Sequence, residues 1–421
     1  MTSKGAESLS FGLRALLLAN FFHTMAFLAV ITFVGDQIFG ITGRPLDLGY
    51  LGVALFLPVF LLSPLGGTLV DRFDRRIVYA VPVVLEIVVS FGLVAFVRSD
   101  PTAVWPFFVF AGLFGAARAF ASPASRTLPI DLANSSQLDR MIALKALSLQ
   151  MGVVVGPVVA GFLAVVSPEL PYLFAGIVLL IVLVLLLFVP KPRTERLETA
   201  PGPRQAVTDA VEGFRYVRNN DILRGVIGLD LFAVLLGGAT ALLPAIAEER
   251  LGVSEVGLGW LRAADGMGAA SVSLLLSFVA FRRNIGKILL YAVGVFGLAT
   301  IVLGLTTNYA VAFGAIFVLS AADAVSVYIR SSVVPLATPE NMRGRVVSLE
   351  NVFIGGSNEL GSLESGIAAQ AIGVVGSIVT GGVGTVMVVV FWWWKFPGLR
   401  NVDRFEDVRV GGLTPLGTSE V

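Results

Sequence analysis

Long apolar stretches separated by short polar segments run along almost the whole chain. Within each stretch the apolar residues are continuous and do not alternate with polar ones at every second position. This pattern predicts helices that cross a bilayer, because only a helix satisfies its own backbone in lipid over such lengths. Spans 1 to 12 are predicted at 13–37, 48–70, 77–97, 104–128, 141–166, 172–190, 223–247, 257–281, 287–306, 310–334, 346–372 and 375–396.

The composition agrees with a membrane protein, since 56% of the residues are hydrophobic, 14% are charged and the mean hydropathy is +0.86. The first apolar stretch is too long for a signal-peptide core, and no small-residue cleavage site follows it, so we expect it to remain as span 1. Cysteine is absent, which excludes disulfides, thiolate metal sites and a cysteine nucleophile. The net charge of +1 gives no sign of a nucleic-acid partner, and no cofactor or metal is expected.

Basic residues lie mainly in the tails and in alternate loops. These segments hold 22 of the 30 lysines and arginines, whereas the opposite loops hold only Arg44, Arg98 and Arg250. The positive-inside rule therefore places both termini, and the turn after span 2, in the cytoplasm.

The longest polar interruption divides six spans from six. We predict an N-terminal lobe at 1–190, a cytoplasmic linker at 191–222, a C-terminal lobe at 223–396 and a cytoplasmic tail at 397–421. In the linker, Val207, Val211, Phe214 and Val217 recur at helical spacing opposite arginines. This indicates an amphipathic helix, either on the cytoplasmic leaflet or solvated without touching lipid.

A charged turn, GGTLVDRFDRR at 66–76, joins spans 2 and 3. Gly67 is expected to let span 2 approach a neighbouring helix closely. Asp71 and Arg75 are four residues apart, so they can pair on one helical face, with Asp71 also near a helix N-terminus. The alternative is that these charges only anchor the topology.

The turn resembles the signature of the major facilitator superfamily at Gly67, Leu69, Asp71, Arg72, Arg75 and Arg76. Further segments are similar to a bacterial exporter branch that includes the enterobactin exporter and macrolide efflux proteins: PASRTLP at 123–129, GPVVAG at 156–161, TPENMRGRV at 338–346 and SNELGSLESG at 357–366. The resemblance implies an all-α membrane protein of two six-helix lobes. It also implies that the turn locks the cytoplasmic side in the outward-facing state, reaching Asp131 and the region after Arg345 at the start of span 11.

Span 5 carries Gly152, Gly156, Pro157 and Gly161, which resembles the antiporter motif of exporting members. Glycines at this spacing beside a proline suit a sliding interface, and they equally suit ordinary tight packing. Ala160 stands where the full motif has a glycine.

Ionisable residues inside spans are costly, so each is a functional candidate. His23, Arg118 and Asp323 lie near the middle of spans 1, 4 and 10, and Asp230 lies in the cytoplasmic half of span 7. The resemblance places these four spans around a central cavity, where the four side chains would converge.

Asp230 and Asp323 are the preferred proton carriers, whereas His23, the only histidine, either titrates or bonds a backbone carbonyl. Arg118 either binds an anionic substrate or keeps one of the acids ionised. Arg330, Glu359 and Glu364 form either an ion-pair network between spans 10 and 11 or a proton relay. Glu86 is interpreted as a packing or interface residue.

Together these features predict a secondary transporter that exports amphipathic, siderophore-like or drug-like molecules in exchange for protons by alternating access. We expect a monomer, multi-pass in the bacterial inner (plasma) membrane. The alternative within transport is a proton-coupled importer or facilitator of a metabolite. A lipid-flipping protein or a membrane-embedded enzyme is disfavoured, because HExxH is absent and only one histidine is present.

Overall fold

The computed structural model describes residues 9–134, 136–191, 203–279 and 281–408, without the side chains of residues 64, 71, 139, 203–207, 210 and 277. In these ranges the regular structure is helical. The helices are α1 (Phe11–Thr42), α2 (Pro45–Arg72), α3 (Arg75–Val97), α4 (Trp105–Leu132), α5 (Leu138–Val166), α6 (Leu170–Leu187), α7 (Pro203–Asn219), α8 (Asp221–Leu236), α9 (Leu243–Ala245), α10 (Glu255–Phe278), α11 (Ile285–Leu305), α12 (Tyr309–Leu336), α13 (Glu340–Lys395) and α14 (Pro397–Arg400).

Ten of the described helical segments are long and apolar enough to cross a membrane. One of them, α13, joins two helices across Gly373, whose φ of 80° interrupts the helical backbone. Glycine adopts this conformation without the steric penalty of a Cβ atom. The break falls between the predicted spans 11 and 12.

Predicted span 7 is not one continuous α-helix. After α8 the chain passes through a 3₁₀ turn (Gly238–Leu242), the short α9 and a π-helical turn (Ile246–Leu251). A Cβ atom at Gly238 would lie 2.5 Å from the Gly361 carbonyl oxygen. The change in helix type therefore begins where the 3₁₀ turn packs its backbone closely on α13, which continuous apolarity in the sequence does not reveal.

The chain divides into two compact units, residues 1–200 with 243–266 and residues 201–242 with 267–421. In unit 1, α1 packs on α5 and α6, while α4 packs on α2 and α3. Two close approaches join α2 to α4. A Cβ atom at Gly66 would overlap the Ala119 carbonyl oxygen, and one at Gly115 would overlap that of Leu55.

The expectation that Gly67 makes the close approach of α2 to a neighbouring helix is therefore wrong. A Cβ atom at Gly67 would meet nothing within 4 Å among the described residues. Helix α2 turns by about 100° per residue, so only one of the two adjacent glycines faces α4, and that residue is Gly66.

In unit 2, α11 packs on α12 and α13, and α8 packs on α13. The linker helix α7 also packs on α13, where Arg345 forms ion pairs with Asp209 (2.9 Å) and Glu212. On the predicted apolar face of α7, Val217 is buried, whereas Val211 and Phe214 are exposed. Two of its apolar side chains thus remain uncovered.

Candidate functional site

The turn between α2 and α3 is built around Asp74. Its carboxylate accepts a hydrogen bond from the Arg76 backbone N–H (3.0 Å), so Asp74 is the N-cap of α3. Hydrogen bonding from the Arg76 side chain also lowers the pKa of Asp74 below its ordinary value. A charge at this position complements the exposed N–H groups of the helix terminus.

The predicted arrangement of Asp71 and Arg75 on one helical face is wrong. Asp71 lies in the last turn of α2 and Arg75 begins α3, and the backbone at Phe73 and Asp74 is extended between them. The helix terminus is capped by Asp74. The side chain of Asp71 lies outside the described residues, and that of Arg72 is exposed.

Two arginines connect this turn to other helices of unit 1. Arg75 forms an ion pair with Asp131 at the end of α4, and both side chains are largely buried. Arg76 donates a hydrogen bond to the Val189 carbonyl oxygen (3.0 Å), just beyond α6. The start of α3 is therefore fixed to the ends of both α4 and α6.

The glycine and proline residues of α5 contact two different elements of unit 1. Cβ atoms at Gly152 and Gly156 would collide with α1, the first at 2.8 Å from the Phe21 carbonyl oxygen. At Gly161, a Cβ atom would lie 2.7 Å from the Glu255 carbonyl oxygen. On the same side, the Pro157 carbonyl meets Gly259 of α10. The small residues of α5 thus allow close packing against both α1 and α10.

Unit 2 contains a buried network of three charges from three helices. Arg330 of α12 forms an ion pair with Asp230 of α8, and its Nε lies 3.4 Å from Glu350 of α13. At most 10% of each side chain is exposed. Because an unpaired charge at such a position is strongly unfavourable, each of the three depends on the others.

Asp230 and Asp323 line one small pocket within unit 2, together with Phe296 and Ser326. The ion-pair partner that α13 supplies to Arg330 is Glu350. Glu359 and Glu364 lie further along α13, and both are partly buried. The sequence thus predicted a contact of Arg330 in span 10 with a carboxylate of span 11, but with Glu359 or Glu364 and not with Glu350, which lies close to the predicted cytoplasmic end of span 11.

In unit 1, His23 of α1 lies between two side chains of α3. Its Nε2 is 2.7 Å from Oε2 of Glu86, and its Nδ1 is 3.1 Å from the Tyr79 hydroxyl. The predicted alternative of a backbone carbonyl partner is therefore wrong. The sequence favours a packing or interface role for Glu86, although, as a carboxylate in the middle of span 3, it meets the same criterion as Asp323.

Arg118 lies in α4 of the same unit, with its guanidinium 4.3 Å from the centre of the Phe27 ring. Phe27 follows His23 by one turn of α1. In unit 1, His23 and the guanidinium of Arg118 thus lie at neighbouring turns of α1. In unit 2, Asp230 and Asp323 line one pocket. The convergence of all four on a single cavity stays a prediction.

Buried carboxylates, an imidazole and arginines in transmembrane helices can bind and release protons and balance the charge of a solute. Ten helical segments of the described residues are long and apolar enough to cross a membrane, and the presence of such groups in several of them is typical of a multi-pass membrane transporter. The family model for the Major Facilitator Superfamily matches residues 16–362. The chain belongs to this superfamily, whose members are transporters and not enzymes.

Relatives within the family differ in how far the likeness extends. The uncharacterized MFS-type transporter YfiS of Bacillus subtilis is 25% identical over 367 residues, which is 82% of this chain and 83% of YfiS. The quinolone resistance protein NorA of Staphylococcus aureus is 29% identical over 158 residues, 37% of this chain and 39% of NorA. Among solved structures, a D-xylose-proton symporter has a TM-score of 0.67 at 18% identity, with 91% of this chain and 97% of the symporter covered. That likeness concerns the fold.

Proposed function

We propose that this protein is a proton-coupled exporter of amphipathic small molecules that acts as a monomer in the bacterial plasma membrane. The observation that carries the proposal is the pocket of unit 2, where two carboxylates, Asp230 and Asp323, lie beside apolar side chains. The likeness to NorA, a quinolone resistance protein, supports export and a drug-like substrate. The chain would cross the membrane twelve times with both ends in the cytoplasm, as the distribution of basic residues favours.

The two aspartates would differ in their roles. Asp230 forms an ion pair with Arg330, so a proton that binds to Asp230 weakens that ion pair, and Asp323 lines the same pocket. Substrate and proton would use the pocket alternately, and each would stabilise a different state of the transport cycle. The apolar lining of this pocket suits an aromatic or amphipathic solute better than a sugar.

The cytoplasmic turn would act as the gate. Arg75 and Asp131 join α3 to α4, and Arg76 joins α3 to the chain after α6. In the proposed cycle this set of contacts stabilises the state closed to the cytoplasm. The small-residue face of α5 would be the surface along which helices shift.

The test is quinolone transport by native protein, Asp230→Asn and Asp323→Asn in proteoliposomes with an imposed pH gradient. Each substitution removes a titratable proton and changes side-chain volume little. We expect at least a tenfold loss of gradient-driven transport in both variants, about the effect of 1.4 kcal/mol. Asp221→Asn is the matched control, because Asp221 is in the same helix and its side chain is 77% exposed. Full gradient-driven transport by both variants would refute the assignment.

A second candidate is proton-coupled import, which the fold shared with a D-xylose-proton symporter favours. The two functions differ in the direction of proton movement relative to the solute. A panel that includes siderophores, quinolones and sugars, tested in the same proteoliposomes, separates the substrate classes.

A further inference from the structure

Glu86 is the middle residue of α3, and its side chain is fully buried. One carboxylate oxygen, Oε2, contacts His23 Nε2. The other, Oε1, is buried without a hydrogen-bond partner in the described part of the chain. A fully ionised carboxylate with one unsatisfied oxygen is a costly group to keep in a helix core.

His23 connects this carboxylate to a more accessible position. Its side chain is 15% exposed, whereas that of Glu86 is not exposed at all. The Tyr79 hydroxyl, on the same helix as Glu86, contacts the second imidazole nitrogen, and the two rings meet edge to face at 5.4 Å. Both ring nitrogens of His23 are therefore placed to exchange protons with a partner.

From this geometry we propose that His23 and Glu86 form a second proton-binding site, in unit 1, which takes up and releases one proton during transport. This inference rests on the proposed proton-coupled function and adds a site separate from Asp230 and Asp323. In the deprotonated state His23 Nε2–H donates to the Glu86 carboxylate, Nδ1 accepts from the Tyr79 hydroxyl, and the pair carries one negative charge. One added proton gives either imidazolium with carboxylate or imidazole with carboxylic acid.

Both protonated forms have no net charge, and the Tyr79 hydroxyl turns to accept a hydrogen bond from Nδ1–H. No bond other than those to the moving proton is made or broken. The net charge between α1 and α3 thus changes by one unit. Such a change can bias two arrangements of packed helices, because charge in a low-dielectric environment is costly.

Charged groups of neighbouring helices flank the site along α1. Arg118 of α4 lies over Phe27, one turn beyond His23. In the other direction, Lys145 of α5 donates to the Ser125 carbonyl oxygen, and the Ser125 hydroxyl donates to Asn20. Arg126 adjoins Ser125 in α4.

In the remaining helices packed on α1 and α3, the ionisable residues lie near the helix ends and not level with His23 and Glu86 in the middle of the helices. Helix α6 has one titratable residue, Tyr172, in its first turn, and α2 has Asp47 and Tyr50 near one end and Asp71 and Arg72 at the other. The cations at Arg118 and Lys145 are therefore the groups that would balance the site when its proton leaves.

The direct test uses the fact that His23 is the only histidine. Protein labelled with ¹⁵N-histidine, and purified with a tag that contains no histidine, gives imidazole signals from this site alone in lipid bilayers. We expect these signals to change with pH as the site gains and loses its proton. In Glu86→Gln the midpoint of that change should move, and in Glu169→Gln, a control at the residue just before α6, it should stay unchanged.

Signals that do not change with pH, or a midpoint that Glu86→Gln leaves in place, would overturn the proposal. If Glu86→Gln does not fold, Tyr79→Phe serves the same purpose, since it removes only the hydroxyl at Nδ1. We expect it to shift the ratio of the two neutral tautomers, and an unchanged ratio would contradict the proposed arrangement.

Transport gives a second readout that a merely structural role would not produce. In Glu86→Gln we expect at least a tenfold loss of quinolone transport driven by a pH gradient, while exchange of labelled for unlabelled quinolone without a gradient continues. Retention of gradient-driven transport would overturn the role in coupling. If the native protein moves neither a quinolone nor a siderophore of the panel, the proposed function fails, whereas the ¹⁵N titration still decides whether the proton site exists.

Discussion

Asp74 occupies the N-cap position of α3 and bonds both the backbone and the side chain of Arg76. We predict that Asp74→Ala destabilises the protein by about 1 kcal/mol, the usual cost of losing an N-cap side chain. Asp74→Asn retains a capping oxygen and should lose less. The measurement is thermal unfolding in detergent, followed by the fluorescence of the five tryptophans.

The lowered pKa of Asp74 fixes the sign of a pH effect. A carboxylate whose pKa is lower in the folded state stabilises the fold above its unfolded pKa of about 3.9. This contribution is lost as the pH falls through the lower, folded-state value. The difference in unfolding temperature between native protein and Asp74→Asn should therefore be constant near neutral pH and shrink below about pH 4. A difference that grows in acid would contradict this.

Arg75 and Asp131 should be energetically coupled, because their ion pair is largely buried and joins two helices. A double-mutant cycle with Arg75→Gln and Asp131→Asn should give a coupling free energy of about 1 kcal/mol. The comparison pair is Arg98 and Glu169, which joins helix ends with Arg98 60% exposed. That cycle should give a smaller value. Equal coupling in both cycles would count against a special role for Arg75.

At the scale of helices, the approach of α2 to α4 depends on which of two adjacent glycines faces inward. Gly66→Ala places a methyl group against the Ala119 carbonyl and should destabilise by about 1–3 kcal/mol, as overpacking does. Gly67→Ala meets no described atom and should be neutral or stabilising, since alanine favours helix by about 1 kcal/mol over glycine. Unfolding temperatures of the two variants check this, and the opposite order would show that Gly67 makes the contact.

At the scale of the whole molecule, the proposed topology follows from twelve spans and the distribution of arginine and lysine. The chain has no cysteine, so a single introduced thiol reports its own location without further changes. Phe73→Cys should react with a membrane-impermeant maleimide only from the cytoplasmic side, and Thr102→Cys only from the outside. Labelling of both from the same side would exclude the proposed topology.

The extent to which a structural feature could be predicted from the sequence depends on how far apart in the chain the residues that determine it lie. Continuous apolar stretches predicted the helices, and the break at Gly373 falls between the predicted spans 11 and 12. Local backbone geometry was less predictable: spacing alone suggested a continuous helical face from Asp71 to Arg75, whereas the chain turns at Phe73 and Asp74.

Partners across the fold were the least predictable features. His23 and Glu86 are 63 residues apart, and Arg330 reaches Asp230 from a different helix. Sequence identifies such residues as costly ionisable groups in spans, but three-dimensional packing decides which of them meet. The pairing of Arg75 with Asp131 could be anticipated only through the resemblance to a known family.

The central claim is exchange of protons for an amphipathic solute, and its most direct measurement is the pH inside sealed proteoliposomes when a quinolone is added outside. In an antiporter, solute entry moves protons out, so the internal pH should rise whichever way the protein is inserted. A symporter lowers the internal pH, and a facilitator leaves it unchanged. A rise that depends on the native protein is the predicted result, and quinolone entry with a falling or constant internal pH would contradict the account.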